Sequence, residues 1–319
     1  MFVKDAGLIR LARFVLIGTL GGCSAYSSSL PAAPAQPALL NPEAPAHAAA
    51  PATWVYTTST NADDATVYAR TALSLTQTRT LSRRISSPAG SVATPNGFWY
   101  VANGGDSNVL VYRTRAKGPR GPVATLGDAG QRPIDVAVTS DRQLVAVSNA
   151  ETTGSGSGSV SVYVDGATEP TRTLSYGTDT IGGMGIAIDG RGNCYWSFND
   201  FTSGVASIVM FAHCAGTGTV VVPSMTRAAG LAFNPRGDLF YIDAASIYKC
   251  RHTAGCTLFS TGYSRPAMMN FDASGRHIWV ADEAGQIDAV SPSTGGIELE
   301  VLTGGPANGP FGIAPVPGE

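Results

Sequence analysis

The feature that most constrains this chain is an internal repeat running from Trp54 to the C-terminal end. A short apolar segment closing on Asn or Asp recurs as Phe98-Trp99-Tyr100-Val101-Ala102-Asn103, Leu144-Val145-Ala146-Val147-Ser148-Asn149 and Cys194-Tyr195-Trp196-Ser197-Phe198-Asn199. It returns as Leu239-Phe240-Tyr241-Ile242-Asp243 and Ile278-Trp279-Val280-Ala281-Asp282, with a weaker copy at Trp54-Val55-Tyr56-Thr57-Thr58. A polar turn and another apolar strand follow each copy, as in Val109-Leu110-Val111-Tyr112 and Val160-Ser161-Val162-Tyr163. A third strand comes next. A small-residue strand such as Gly185-Ile186-Ala187-Ile188 or Gly230-Leu231-Ala232-Phe233 then leads into the next copy. The copies recur about every 44 residues, and helical periodicity is missing throughout.

Units of four short strands, punctuated by Gly, Pro and Asp turns, cannot each bury a core alone. Six such units predict an all-β fold, a six-bladed β-propeller with four-stranded blades. The phase of the repeat predicts how the ring shuts. The chain enters on the second strand of a blade at Trp54 and ends on an innermost strand at Phe311-Gly312-Ile313-Ala314. Pairing those two ends leaves no open edge. Gly and Ala are expected on the innermost strands because six strands converge on one axis. Trp54, Trp99, Trp196 and Trp279 all fall on second strands and are expected to pack between blades.

The first residues read as an address. Lys4, Arg10 and Arg13 precede the apolar run Phe14–Leu20, which is too short to span a bilayer and has the size of a signal-peptide core. The run ends in Leu20-Gly21-Gly22-Cys23, which resembles the bacterial lipobox. The resemblance implies cleavage before Cys23 and lipidation of its thiol, and Ser24 favours an outer membrane where one exists. Pro31, Pro34, Pro37, Pro42, Pro45 and Pro51 then stand among Ala and Ser, a composition that cannot build a core. The predicted organisation is a lipoprotein signal peptide over 1–22, a Pro/Ala-rich tether over 23–52 and the propeller over 53–319.

Four cysteines behind an export signal favour disulfides. In the propeller frame Cys194 and Cys214 face each other across one hairpin, and Cys250 and Cys256 flank the turn of another. A zinc site using His213 and His252 is the rival, but no Cys-x-x-Cys pair supports it. The segment from Tyr100-Val101-Ala102-Asn103 through the Gly104-Gly105 turn to Val109-Leu110-Val111-Tyr112 resembles an NHL-type blade. That resemblance implies the fold and leaves the activity open, because propellers host unrelated functions.

Acidic and basic residues nearly balance, 23 against 21, so no basic face for nucleic acid is expected. No Gly-x-Ser-x-Gly elbow, phosphate loop or His-Glu-x-x-His motif occurs. The run Gly154-Ser155-Gly156-Ser157-Gly158 reads as a hairpin loop. No catalytic residue is assigned. The candidate ligand-binding face is the set of strand-end residues and their neighbours: Asn103, Asp106, Asn149, Asn199, Asp200, Asp243, Asp282 and Glu283. Two readings compete there. Asn and Asp at strand ends hold turns through their own side chains. Hard oxygens around a channel also suit Ca²⁺, as in regucalcin-like gluconolactonases, which bind a divalent ion in such a place. A lactonase-type Glu at the start of an innermost strand is missing; those positions read Ser91, Asp135, Gly185, Ala229, Ala267 and Pro310. His47, His213, His252 and His277 are dispersed, which weakens a likeness to propeller lyases such as the streptogramin lyase. The expected function is therefore a lipid-anchored, extracytoplasmic binding module without cofactor. It is expected to be a monomeric propeller for a protein, peptide or glycan ligand. The alternative is a divalent-metal-dependent enzyme of lactonase or lyase type.

Overall fold

A computed structural model of the chain describes residues 52–71, 74–114, 119–152, 156–177, 181–303 and 309–317. The predicted signal peptide, Cys23 and the tether through residue 51 lie outside the described residues, as do His47 and residues 153–155 of the Gly/Ser loop.

Six antiparallel sheets of four strands each make the ring. Blade two runs outward through Pro88–Thr94, Phe98–Asn103, Asn108–Arg113 and Pro122–Gly127. Blades three to six repeat this order from inner strands Gln131–Val138, Ile181–Ile188, Ala228–Phe233 and Pro266–Phe271. Among the described residues the only helical pieces are two 3₁₀ turns, Gly104–Asp106 and Ala212–Cys214.

Blade one is the composite that the repeat phase predicts. Its inner strand is the C-terminal Gly312–Pro317, paired antiparallel with the N-terminal Ala52–Ser59, followed by Asp64–Arg70 and Leu75–Leu81. Gly312 stands opposite Thr58 and Ile313 opposite Thr57. The Phe311 N–H donates to the Thr58 carbonyl at 2.7 Å, and the Gly312 N–H to the Thr58 hydroxyl at 3.0 Å. These bonds satisfy backbone groups that a free edge would expose.

The turns from inner to second strand are built by short polar side chains. Asp189 Oδ1 accepts from the Arg191 and Asn193 N–H groups, and Asn234 Oδ1 from those of Arg236 and Asp238. Gly192 and Gly237 then take positive φ, +79° and +82°, where a β-carbon is disfavoured.

The core lies between neighbouring blades. Trp99, Trp196 and Trp279 are fully buried, while Trp54 is half-buried. Tyr56 of blade one meets Trp99 of blade two edge-on, with ring centroids 5.0 Å apart. Trp196 Nε1 donates to Ser148 Oγ of blade three at 2.9 Å. Both expected disulfides are present, Cys194–Cys214 and Cys250–Cys256. They close loops with separations of 20 and 6 residues. Loop-closure entropy makes them worth ~3 and ~2 kcal/mol.

Candidate functional site

Inner strands build the axis, and Asp135, Met268, Asn270 and Val92 break their small-residue pattern. Four blades place Gly90, Gly185, Gly230 and Gly312 at one level; blade three has Asp135 there and blade six has Met268. A β-carbon at Gly90 would collide with the Asp135 carboxylate, and one at Gly230 with the backbone of Met268. Gly90 thus clears the space that Asp135 fills. Asp135 is 6 % exposed and its Oδ2 accepts the Ile186 N–H of blade four at 3.0 Å. Burial pushes its pKa up to about 7, against the opposing pull of the Ile186 and Val136 N–H groups.

Two residues further along, Ala137, Ala187, Ala232 and Ala314 are matched in blade six by Asn270. Its Nδ2 donates to Ile313 O at 2.7 Å and to Ser91 O at 2.9 Å, tying blade six to blades one and two. A cavity of about 180 Å³ lies here, lined by Asp135, Ile186, Leu231, Asn270 and Phe271 among others. Asp135 is the only ionisable residue on that lining among the described residues. A carboxyl titrating near neutrality suits proton transfer. Here it has neither a nucleophile nor a second acid beside it.

The strand-end residues Asn103, Asn199, Asp243 and Asp282 are held by the backbone. Asn103 Oδ1 accepts the Ser86 N–H at 2.7 Å, in the loop that brings the chain into blade two. Asp243 Oδ1 accepts the Thr226 and Arg227 N–H groups at 2.8 and 2.9 Å, entering blade five. Asp282 accepts those of Ser264, Arg265 and Ala284 at 2.8–2.9 Å, entering blade six. Asn199 Oδ1 accepts the Ala228 N–H of the next blade at 3.0 Å. The strand-end residue therefore ties the incoming connection to its blade or to the next one, beyond the turn that follows it.

Asn149 is buried and donates to Ser159 and Ser161; Ser161 in turn donates to Asp128 at 2.6 Å. Burial raises the pKa of Asp128 to about 6. Asp106 accepts from Asn103 Nδ2 at 3.2 Å, and Glu283 pairs with Arg265 at 2.9 Å. Asp200 accepts the Thr202 N–H and the Ser203 hydroxyl, and these bonds, the hydroxyl's first, lower its pKa. Among the described residues no three His, Cys, Asp or Glu side chains gather at metal-binding distance.

The described histidines sit in separate turns. His277 Nδ1 lies 3.0 Å from Asp272 Oδ2, a pairing reminiscent of a catalytic dyad. Its Nε2 lies 3.2 Å from both Arg70 and Glu298, so neither ring nitrogen is left to meet a substrate.

The outer strands of blades one and two bound a larger cavity of about 520 Å³. Arg79, Arg83, Arg84 and Arg120 line it, with Tyr112, and no carboxylate does among the described residues. Sequence reasoning missed this groove and gave Asp135 and Asn270 no role. For the axial pair a signal was present, the break in the Gly and Ala layers. For the groove the signal was partial: Arg79, Arg83 and Arg84 stand close together in the chain, while Arg120 and Tyr112 reach it from a different blade.

No protein-family model matches the sequence, and no curated protein matches it. Among solved structures it is similar to a luciferin-regenerating enzyme, at 13 % identity and TM-score 0.49, covering 67 % of this chain and 76 % of that one. A protein of unknown function from Bacteroides thetaiotaomicron is 17 % identical, with TM-score 0.50 over 71 % of this chain and 64 % of that one. Another of unknown function, from Bacteroides caccae, is 11 % identical, with TM-score 0.47 over 65 % and 73 %. At such identities the likeness is one of architecture, and the architecture of this chain is the six-bladed β-propeller.

Proposed function

We infer that the protein is a lipid-anchored, extracytoplasmic binding module, held to a membrane through Cys23 and a Pro/Ala tether, with NHL-like blades as a rigid scaffold. One contrast carries this reading. The Asn103, Asn199, Asp243 and Asp282 oxygens that a metal-dependent lactonase or lyase would offer its ion are hydrogen-bonded to the chain's own backbone, while the groove between blades one and two holds arginines with no carboxylate among its described lining residues. The module is monomeric in this reading and takes its ligand at the rim rather than at the ring. Two experiments test it. Membrane fractionation of wild type and Cys23→Ser should move the protein from the detergent-requiring fraction to the soluble one; persistent tight association of the variant overturns the anchor. Chelation with EDTA should leave thermal melting unchanged, and a marked loss of stability would favour the metal-dependent alternative.

A further inference from the structure

Four guanidinium groups share one groove, and none makes an ion pair with a described residue. Arg83, Arg84 and Arg120 are exposed, and Arg79 is half-buried. The loop that carries two of them is firmly built. Its Ile85 is buried, the Ser86 N–H donates to Asn103 and the Ser87 N–H to Asp63 at 2.7 Å. The Gly105 N–H returns a bond to Ser86 O at 2.9 Å. Arg84 itself holds a positive φ of 64°, and its carbonyl accepts from Asn103 Nδ2. The backbone that presents Arg83 and Arg84 is thus held in place by hydrogen bonds to Asp63, Asn103 and Gly105.

A second observation points into the same groove. Tyr112 is 2 % exposed and lines it, and its hydroxyl has no hydrogen-bond partner among the described residues. The ring is packed against Trp99, with centroids 5.1 Å apart, so the hydroxyl cannot swing out to water. A buried hydroxyl without a partner carries a desolvation cost of about 1–3 kcal/mol, which a bound acceptor would remove.

We propose that this groove is an anion-binding site for a small ligand carrying at least two phosphate groups. The inference rests on the binding-module reading and names the ligand chemistry of its rim. Charge balance selects the ligand: one carboxylate or one phosphate would leave several guanidinium groups facing each other without a counter-charge. Guanidinium forks match phosphate oxygens two at a time, and the tetrahedral group has a further oxygen to accept from Tyr112. A volume of about 520 Å³ is that of a small-molecule site. Paired phosphates occur on soluble phosphorylated metabolites and sugars, whereas a simple lipid headgroup offers a single one.

Isothermal titration of the full-length chain in detergent, with inorganic pyrophosphate as probe, tests the proposal. At low ionic strength one pyrophosphate should bind per chain, more weakly as salt is raised. The double variant Arg83→Ala/Arg84→Ala should lose about tenfold or more in affinity. Tyr112→Phe should lose about threefold while melting at or above the wild-type temperature, since the packed ring is kept and the unpartnered hydroxyl is removed. Glycerol 3-phosphate, the single-phosphate headgroup, should bind at least about tenfold more weakly than pyrophosphate. No binding of pyrophosphate at low salt, unchanged affinity in the variants, or glycerol 3-phosphate binding as tightly would each overturn the site. A failed titration beside an intact Cys23 dependence removes only the ligand class. A failed fractionation beside an intact titration removes only the anchor.

Discussion

Asp282 and Arg83 stand at opposite ends of how this propeller uses charge. The Asp282 side chain is fully buried and its two oxygens meet three backbone N–H groups. Arg83 is exposed on the lining of the rim groove and meets no carboxylate among the described residues. A buried charge persists only where donors replace its hydration, so the ring acids belong to the scaffold. An exposed guanidinium keeps its water and is available to exchange it for a ligand. The comparison teaches that polar residues repeated in every blade serve the ring, while an unrepeated charge on one rim serves what the ring presents.

The largest expected effect breaks the scaffold outright. Deleting 312–317 removes the inner strand of blade one and exposes Ala52–Ser59 as an edge. Cooperative thermal unfolding, followed by circular dichroism, should disappear; a truncated protein that melts unchanged would show that closure is not needed.

Asp135→Asn tests whether the axis is as dry as its shifted carboxyl implies. The ordinary carboxyl ionises near 3.8, and the folded one near 7. Between these values the native state holds a proton that the unfolded chain has released. Stability from this group is therefore full below about pH 4 and is lost as pH rises to about 7. The variant should gain up to ~4 kcal/mol over wild type at pH 8 and nothing at pH 4, read from urea unfolding at both. An identical pH profile in the two proteins would place Asp135 in water.

Asp282→Ala should cost ~3 kcal/mol in the same assay, because it strands three N–H groups where the chain enters blade six. Arg83→Ala is the other pole and should change stability by less than ~0.5 kcal/mol. If Arg83→Ala costs as much as Asp282→Ala, the rim is part of the scaffold and the contrast fails.

The ring and its closure were legible in the sequence because strand alternation, turn residues and blade spacing are local signals. So were the disulfides: Cys194 and Cys214 sit at one end of a single hairpin, and Cys250 and Cys256 flank one turn. The ring residues were legible as positions but not in their partners. Asn103 reaches back 17 residues to Ser86, and Asp282 reaches 18 to Ser264, across an entire blade connection. Asp135 meets Ile186, 51 positions away. The periodic signal that reveals a strand carries no record of which loop stands above its end.

Sequence alone determined the number of blades, the seam between Trp54 and the terminal strand, and the cysteine pairs, since each follows from neighbours in the chain or from the phase of the repeat. Tertiary structure alone decided that Asp135 and Asn270 line one axial cavity and that Arg120 joins Arg79, Arg83, Arg84 and Tyr112 on one groove. Those meetings arise when separate sheets are wound around one centre. That winding depends on packing between blades, which no single segment of the chain encodes.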